Sequence, residues 1–183
     1  NKFSVLLTRE PGGTKSSELI RDLILEDYFQ KDSKEKFNKY TDTLLYLAAR
    51  NEHVQNKIKP ALLSKNIIIC DRFIDSTIAY QVYGKNIDKR FIDYIHSYIL
   101  KDIRPDLTFI LYSNISKALK RLNKRKKKNR YDKFSKKFYN KVQNSFIEIG
   151  KKNKSRYVVL DNSHDSPEVE KIIYDKFLLR FKK

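Results

Sequence analysis

The 183 residues include no methionine, no tryptophan, one cysteine, four glycines and four prolines. Each shortage excludes something. A single thiol, Cys70, can build neither an internal disulfide framework nor a cysteine-based zinc site. With so little glycine and proline there is no linker-like stretch, and a chain of this length can bury one core of its own. Gly12, Gly13, Gly84 and Gly150 nowhere form G-x-x-x-x-G-K-[ST], the pattern whose backbone amides cradle nucleotide phosphates. No apolar run approaches the ~20 residues of a membrane helix. The apolar opening, Phe3 to Leu7, is too short for a signal-peptide core and has no small-residue cleavage site after it. The cytoplasm is the compartment these absences suggest. Without methionine the chain does not start at an initiator, so the expectation is that something precedes Asn1 or has been removed.

Negative charge is scarce as well. Forty Lys and Arg against 22 Asp and Glu give a formal net charge of +18. Clustered cations would suit nucleic acid, because neutralising phosphates releases counterions. Here the excess is mostly lysine, accompanied by abundant Asn, Ile and Tyr, as codon bias toward A and T produces. Dispersed lysines speed the capture of anions without defining a nucleic-acid site. The one dense patch, residues 124–128, reads as a solvated face.

What is present is an ordinary globular mixture, 40% hydrophobic. Four short runs, Phe3 to Leu7, Ile67 to Cys70, Leu107 to Tyr112 and Tyr157 to Leu160, are continuous enough for parallel strands covered on both faces. Helical spacing fills the intervals: Lys15 to Leu25, Tyr40 to Leu63, Asp88 to Leu100, Ser116 to Leu122 and Phe134 to Lys151. A last helix opens at Pro167 and runs to Phe181. Alternation of this kind predicts an α/β domain with a mainly parallel sheet.

Chemistry in such sheets gathers past the carboxyl ends of strands. After the first strand comes Thr8-Arg9-Glu10-Pro11-Gly12-Gly13-Thr14. Its glycines permit close approach to a ligand, and Arg9 offers a planar fork for phosphate oxygens. Read alone it is equally a tight turn with an exposed arginine. After the second strand comes Asp71-Arg72-Phe73-Ile74-Asp75-Ser76-Thr77-Ile78-Ala79-Tyr80-Gln81. A carboxylate and a guanidinium at one strand end suit Mg²⁺-bound water and a phosphate. Ser76 and Thr77 also fit a helix cap, and Gln81 fits either a base edge or water. A helix carries Tyr46 and Arg50 four residues apart, hence on one face. Taken alone, a tyrosine on an apolar helix face is more often core.

In this order and spacing the stretches are similar to the thymidylate kinase family: its TREPGGT turn, its L-[FY]-x-A-A-R helix and its D-R-x-x-x-S-[ST]-x-A-Y-Q segment. Arg104-Pro105-Asp106-Leu107-Thr108 resembles the family's RPDLT strand entry, and Asn129-Arg130-Tyr131-Asp132 resembles its D-R-[FIY]-E lid. The resemblance implies one kinase domain over 1–183 with a lid at about 123–134. It implies the three-layer αβα fold of P-loop kinases, with the first strand missing from these residues. It further implies transfer of the γ-phosphoryl group of ATP to dTMP, giving dTDP, with Mg²⁺ as cofactor, in a homodimer.

By the same resemblance Tyr46 stacks on thymine, in place of the usual Phe. Arg72 and Gln81 contact the base region, with Ser76 and Thr77 alongside. Arg9, Pro11 and Arg50 position the phosphate and its surroundings, and Glu10 and Tyr80 complete the substrate side. Asp71 helps hold Mg²⁺ through water. Arg130, or alternatively Arg125, comes from the lid to stabilise the transferring group, joining Arg9 and Arg72 as catalytic arginines. The ATP phosphate loop is not present in the chain, and the intact acceptor motifs favour an incomplete sequence of a normal enzyme. Val82 and Tyr83 stand where the family often has glycine, and Asn129 replaces the lid Asp. Three alternatives remain: a catalytically impaired relative, a nucleoside or nucleoside-monophosphate kinase of another base preference (which the Ser76-Thr77-x-x-x-Gln81 spacing argues against), and a basic nucleic-acid-binding protein using the lysine patch.

Overall fold

The structure, a computed structural model, describes residues 4–26, 28, 35–124, 129–164 and 166–181. Arg125 and residues 126–128 of the basic patch lie outside them. The chain divides into two units, one of residues 1–103 with 129–133, the other of 104–128 with 134–183.

In the first unit, strands β1 (Val5–Arg9) and β2 (Ile67–Asp71) pair in parallel, with Val5 opposite Ile67 and Arg9 opposite Asp71. Strand β1 runs later than the apolar stretch predicts, because backbone pairing carries Thr8 and Arg9 into the ladder despite their polar side chains. Helix α1 (Lys15–Leu25) starts at a capping box in which Thr14 and Ser17 satisfy each other's backbone amides. Helix α2 (Lys39–His53), capped by Asn38, runs through a π-helical turn (Val54–Ile58) into α3 (Lys59–Leu63). The predicted Tyr40–Leu63 helix is therefore continuous but locally widened. Pro60 has no N–H to give the ladder, and ahead of it the Lys59 amide reaches the Val54 carbonyl, five residues back.

After β2, α4 (Ile74–Thr77) passes into a second π-helical turn, Ile78–Gly84, and then α5 (Lys89–Leu100). Ser76 and Thr77 lie inside α4, whose cap position is Phe73, so the capping alternative does not apply. Among the described residues, two apolar centres contribute to the core of this unit. Leu47, Ile87 and Ile92 are packed by Ile78, Val82 and Phe91, and Val54, Ile58 and Leu100 by Ile68, Phe73 and Ile74.

In the second unit β3 (Thr108–Tyr112) pairs in parallel with β4 (Tyr157–Asp161). Around them are α6 (Ile115–Asn123), α7 (Lys136–Lys152) and α8 (Pro167–Phe181). Helix α7 packs on both strands through Gly150, where a Cβ would lie 2.4 Å from Val159 and 3.0 Å from Ile110. Among the described residues the strand side chains are not all covered. Val5, Leu7, Ile69 and Leu111 are each about half exposed or more. A continuous apolar run identifies a strand, but a second covering layer depends on what packs against it, which the run does not encode.

Candidate functional site

The turn after β1 is built around two backbone demands. Gly12 and Gly13 adopt φ of +124° and +98°, where side chains are strained. A Cβ on Gly12 would stand 2.5 Å from a Glu18 oxygen, and one on Gly13 2.7 Å from both His53 and Thr8. Glu18, in the first turn of α1, accepts the Gly13 amide at 2.9 Å and pairs with Arg9 at 3.2 Å. Burial pushes the Glu18 carboxyl up, but the Gly13 amide and Arg9 outweigh it and hold it below its usual range. Arg21 donates to the Pro11 carbonyl and Lys57 to that of Gly13. The Glu10–Pro11 peptide is cis.

Beneath the turn lies a buried polar network. Arg50, 3% exposed, donates through Nε and Nη2 to Glu10 at 2.8 and 2.6 Å, and through Nη1 to Thr77 and His96, both at 2.7 Å. A guanidinium has no acceptor, so His96 accepts at Nε2. His53, fully buried, places Nδ1 3.1 Å from Glu10 and Nε2 2.7 Å from the Thr8 hydroxyl. Burial pushes the Glu10 carboxyl up, yet the Arg50 charge and the hydrogen bonds from His53 and Arg50 prevail and lower it. Four of the five N–H groups of Arg50 are thus directed at protein partners, which ties the turn to α2.

Beside this network is an aromatic wall. Tyr46 and Tyr80 meet Tyr131 edge to face, with ring centroids at 5.9 and 6.1 Å. Burial raises the phenols of Tyr46 and Tyr131, so both stay neutral. Arg72, at the left-handed φ of 66° that ends β2, lays its guanidinium 5.3 Å from the Tyr80 ring centre. Asp71 is exposed, and its carbonyl accepts the Glu10 amide at 2.9 Å, tying the two strand ends together. Gln81, 1% exposed on the second π-helical turn, has an Nε2 with no hydrogen-bond partner. The 3₁₀ turn Arg130–Lys133 belongs to this unit and brings Arg130 and Tyr131 to Asp42 at the start of α2.

The first unit therefore holds Arg9, Glu10, Pro11, Tyr46, Arg50, Asp71, Arg72, Ser76, Thr77, Tyr80, Gln81 and Arg130, while Arg125 lies outside the described residues. Sequence reasoning missed Glu18, Asp42, His53, Lys85 and His96. Asp42 had a signal, since 42, 46 and 50 are successive four-residue steps along one helix face. Cys70, the lone thiol, is pushed up to about 12 by burial and then by the Glu10 charge, which makes it unreactive near neutrality. Among the described residues no cluster of three metal-ligating side chains exists. A single exposed carboxylate, Asp71, still suits an ion that phosphates and water mostly hold. The second unit has an open cavity of about 390 Å³ lined by Tyr112, Asn114, Lys136, Gln143 and Ser163 among others, and none of the motif residues lines it.

A sequence model described as thymidylate kinase matches residues 1–173. Thymidylate kinase of a Sulfurihydrogenibium species is 37% identical over 177 residues, spanning 97% of this chain and 83% of that protein. Thymidylate kinase of Mycoplasma capricolum is 41% identical over 181 residues, spanning 95% and 82%. The crystal structure of thymidylate kinase from Ehrlichia chaffeensis aligns with a TM-score of 0.68 at 32% identity, covering 96% of this chain and 81% of that one. No helix among the described residues is long and apolar enough to cross a membrane.

Proposed function

The chain belongs to the thymidylate kinase family, and from that premise we propose how its residues divide the work. The reaction is phosphorylation of dTMP to dTDP with ATP as phosphate donor, on an α/β fold with parallel strands. The residues gathered in the first unit are its acceptor side. The observation that carries this reading is the orphaned amide of Gln81. A side chain 1% exposed with a donor left unbonded costs free energy unless a ligand uses it, and a pyrimidine carbonyl is a fitting acceptor. The turn that carries Gln81 packs on Leu47 through Ile78 and Val82, one residue along α2 from Tyr46. Thymine would stack on Tyr46, with Ser76, Thr77, Tyr80 and Arg72 around it.

Phosphoryl transfer requires positioning and charge stabilisation more than covalent participation. Arg9, steered by Glu18 and flanked by Pro11, holds the dTMP phosphate, and Arg50, locked by Glu10, fixes the turn that presents it. Arg72 and Arg130 supply positive charge to the transferring group, with Arg125 as the second lid candidate. Asp71 would hold Mg²⁺ through water, and the ion would neutralise phosphate charge as the bond order shifts. Residues 1–183 act as one kinase domain with a lid at about 123–134. We place it in the cytoplasm as a homodimer, a reading supported by exposed Leu44 on α2 and exposed Tyr94 and Tyr98 on α5.

Calorimetric titration of dTMP into full-length protein tests the base site without needing ATP. Tyr46→Ala is expected to weaken binding by roughly 1–3 kcal/mol if the ring stacks. Arg72→Ala is expected to lower kcat/KM for dTMP while leaving the melting temperature in place. Normal dTMP affinity in Tyr46→Ala, together with a large fall in melting temperature, would return Tyr46 to the core.

A further inference from the structure

Asp42 has no part in the reading above, yet three donors converge on it. It is 2% exposed, in the first turn of α2. The Tyr131 hydroxyl donates to Oδ2 at 2.9 Å, Lys85 donates to the same oxygen, and Arg130 donates to Oδ1. Lys85 also reaches the Tyr131 hydroxyl at 2.8 Å, closing a triangle of carboxylate, phenol and ammonium. Its structural effect is to fasten the Arg130–Lys133 turn to α2 and to set the Tyr131 ring edge-on against Tyr46 and Tyr80.

The two cations are not equivalent. If Arg130 leaves, Lys85 and Tyr131 still satisfy Asp42, so the buried carboxylate is not stranded and the departure is cheap. Arg130 is about one-fifth exposed, and its Nε is buried without a partner, so it retains donor capacity for an anion. Lys85 and Tyr131 behave as fixed bolts and Arg130 as a releasable one.

We propose that Asp42 is a positioning residue for phosphoryl transfer, docking the Arg130–Lys133 turn over the acceptor site through Lys85 and Tyr131 and parking Arg130 until nucleotide phosphate draws it away. This rests on the assignment of Tyr46 to the base site and of Arg130 to the transferring group.

Asp42→Asn and Tyr131→Phe in the full-length enzyme test it, the second leaving α2 untouched should the first fail to fold. The expected result for Asp42→Asn is a roughly hundredfold fall in kcat with the KM for dTMP changed much less, as misplacement of a catalytic group produces. Tyr131→Phe is expected to lose roughly tenfold by the same misplacement. Hydrogen exchange at the amides of Tyr131 and Asp132 should accelerate in both variants. Adding Arg130→Gln to Asp42→Asn should cost little beyond the larger single loss, because the two act as a unit. Unchanged exchange with full turnover in Tyr131→Phe, or fully additive losses in the double variant, would overturn the proposal. Normal dTMP binding by Tyr46→Ala would instead sink the base-site reading and leave the exchange result standing by itself, so the two failures are distinguishable.

Discussion

Glu10 and Arg50 form an ion pair in which both partners are almost wholly out of water, at 5% and 3% side-chain exposure. Such a pair adds little net stability compared with an apolar replacement, but removing one member strands the other. Glu10→Gln is therefore expected to cost about 3–5 kcal/mol at neutral pH in a urea titration. The pH dependence carries the sign. Because the folded carboxyl titrates below its ordinary 4.5, its stabilisation is complete above that value and is lost as pH falls through the lowered folded one. The variant should lack that part of the acid limb, and an acid limb identical to wild type would remove Glu10 from the linkage. At this scale the sequence was legible wherever a motif is contiguous: Arg9, Glu10, Tyr46, Arg50, Arg72 and Gln81 all stand in short recognisable strings. It was silent on His53, whose partners Glu10 and Thr8 lie 43 and 45 positions away along the chain, a separation at which no local pattern operates.

The predicted helices match to within two residues because apolar spacing and caps are local, and Pro167 marks the start of α8 as its fixed φ requires, but the short α4 was not predicted. Nor were the two π-helical turns, since a short run of wider hydrogen bonding leaves almost no trace in periodicity. Gly150 is the position where sequence and packing give opposite advice. Helix propensity alone would make Gly150→Ala favourable by about 1 kcal/mol. The added Cβ, however, would stand 2.4 Å from a Val159 methyl, and a β-branched strand residue has little rotamer freedom with which to yield. Overpacking of this kind costs about 1–3 kcal/mol, so net destabilisation is expected. Hydrogen exchange should locate it in α7, β3 and β4, leaving α2 as protected as before. A stabilised variant would show that α7 can move away from the strands at no cost.

For the molecule as a whole, the excess of 18 positive charges must be reconciled with a substrate carrying two negative ones. Exposed lysines occur throughout, including Lys15, Lys65 and Lys101 in the first unit and Lys120, Lys141, Lys154 and Lys176 in the second. A field so dispersed attracts any anion from a distance but holds none in particular, and salt screens it over about 10 Å at 0.1 M. The consequence for dTMP is kinetic. Raising salt from about 50 to 200 mM should slow association several-fold and leave dissociation nearly unchanged, because the bound phosphate is held by short contacts at the site rather than by the field. Nucleic acid separates the two readings of the charge. A protein built to grip six to ten phosphates loses roughly 10³–10⁵ in affinity over that same range, while one with only diffuse charge binds weakly at both salts. Stopped-flow titration with dTMP and anisotropy with a labelled single strand therefore belong in one experiment. Tight, steeply salt-dependent strand binding that disappears when Lys126, Lys127 and Lys128 are neutralised would establish a second ligand class for the basic patch. Weak strand binding beside fast, screened capture of dTMP would mean that the surface charge serves the kinase by delivering anions, with selectivity left to the site proposed at Tyr46, Arg72 and Gln81.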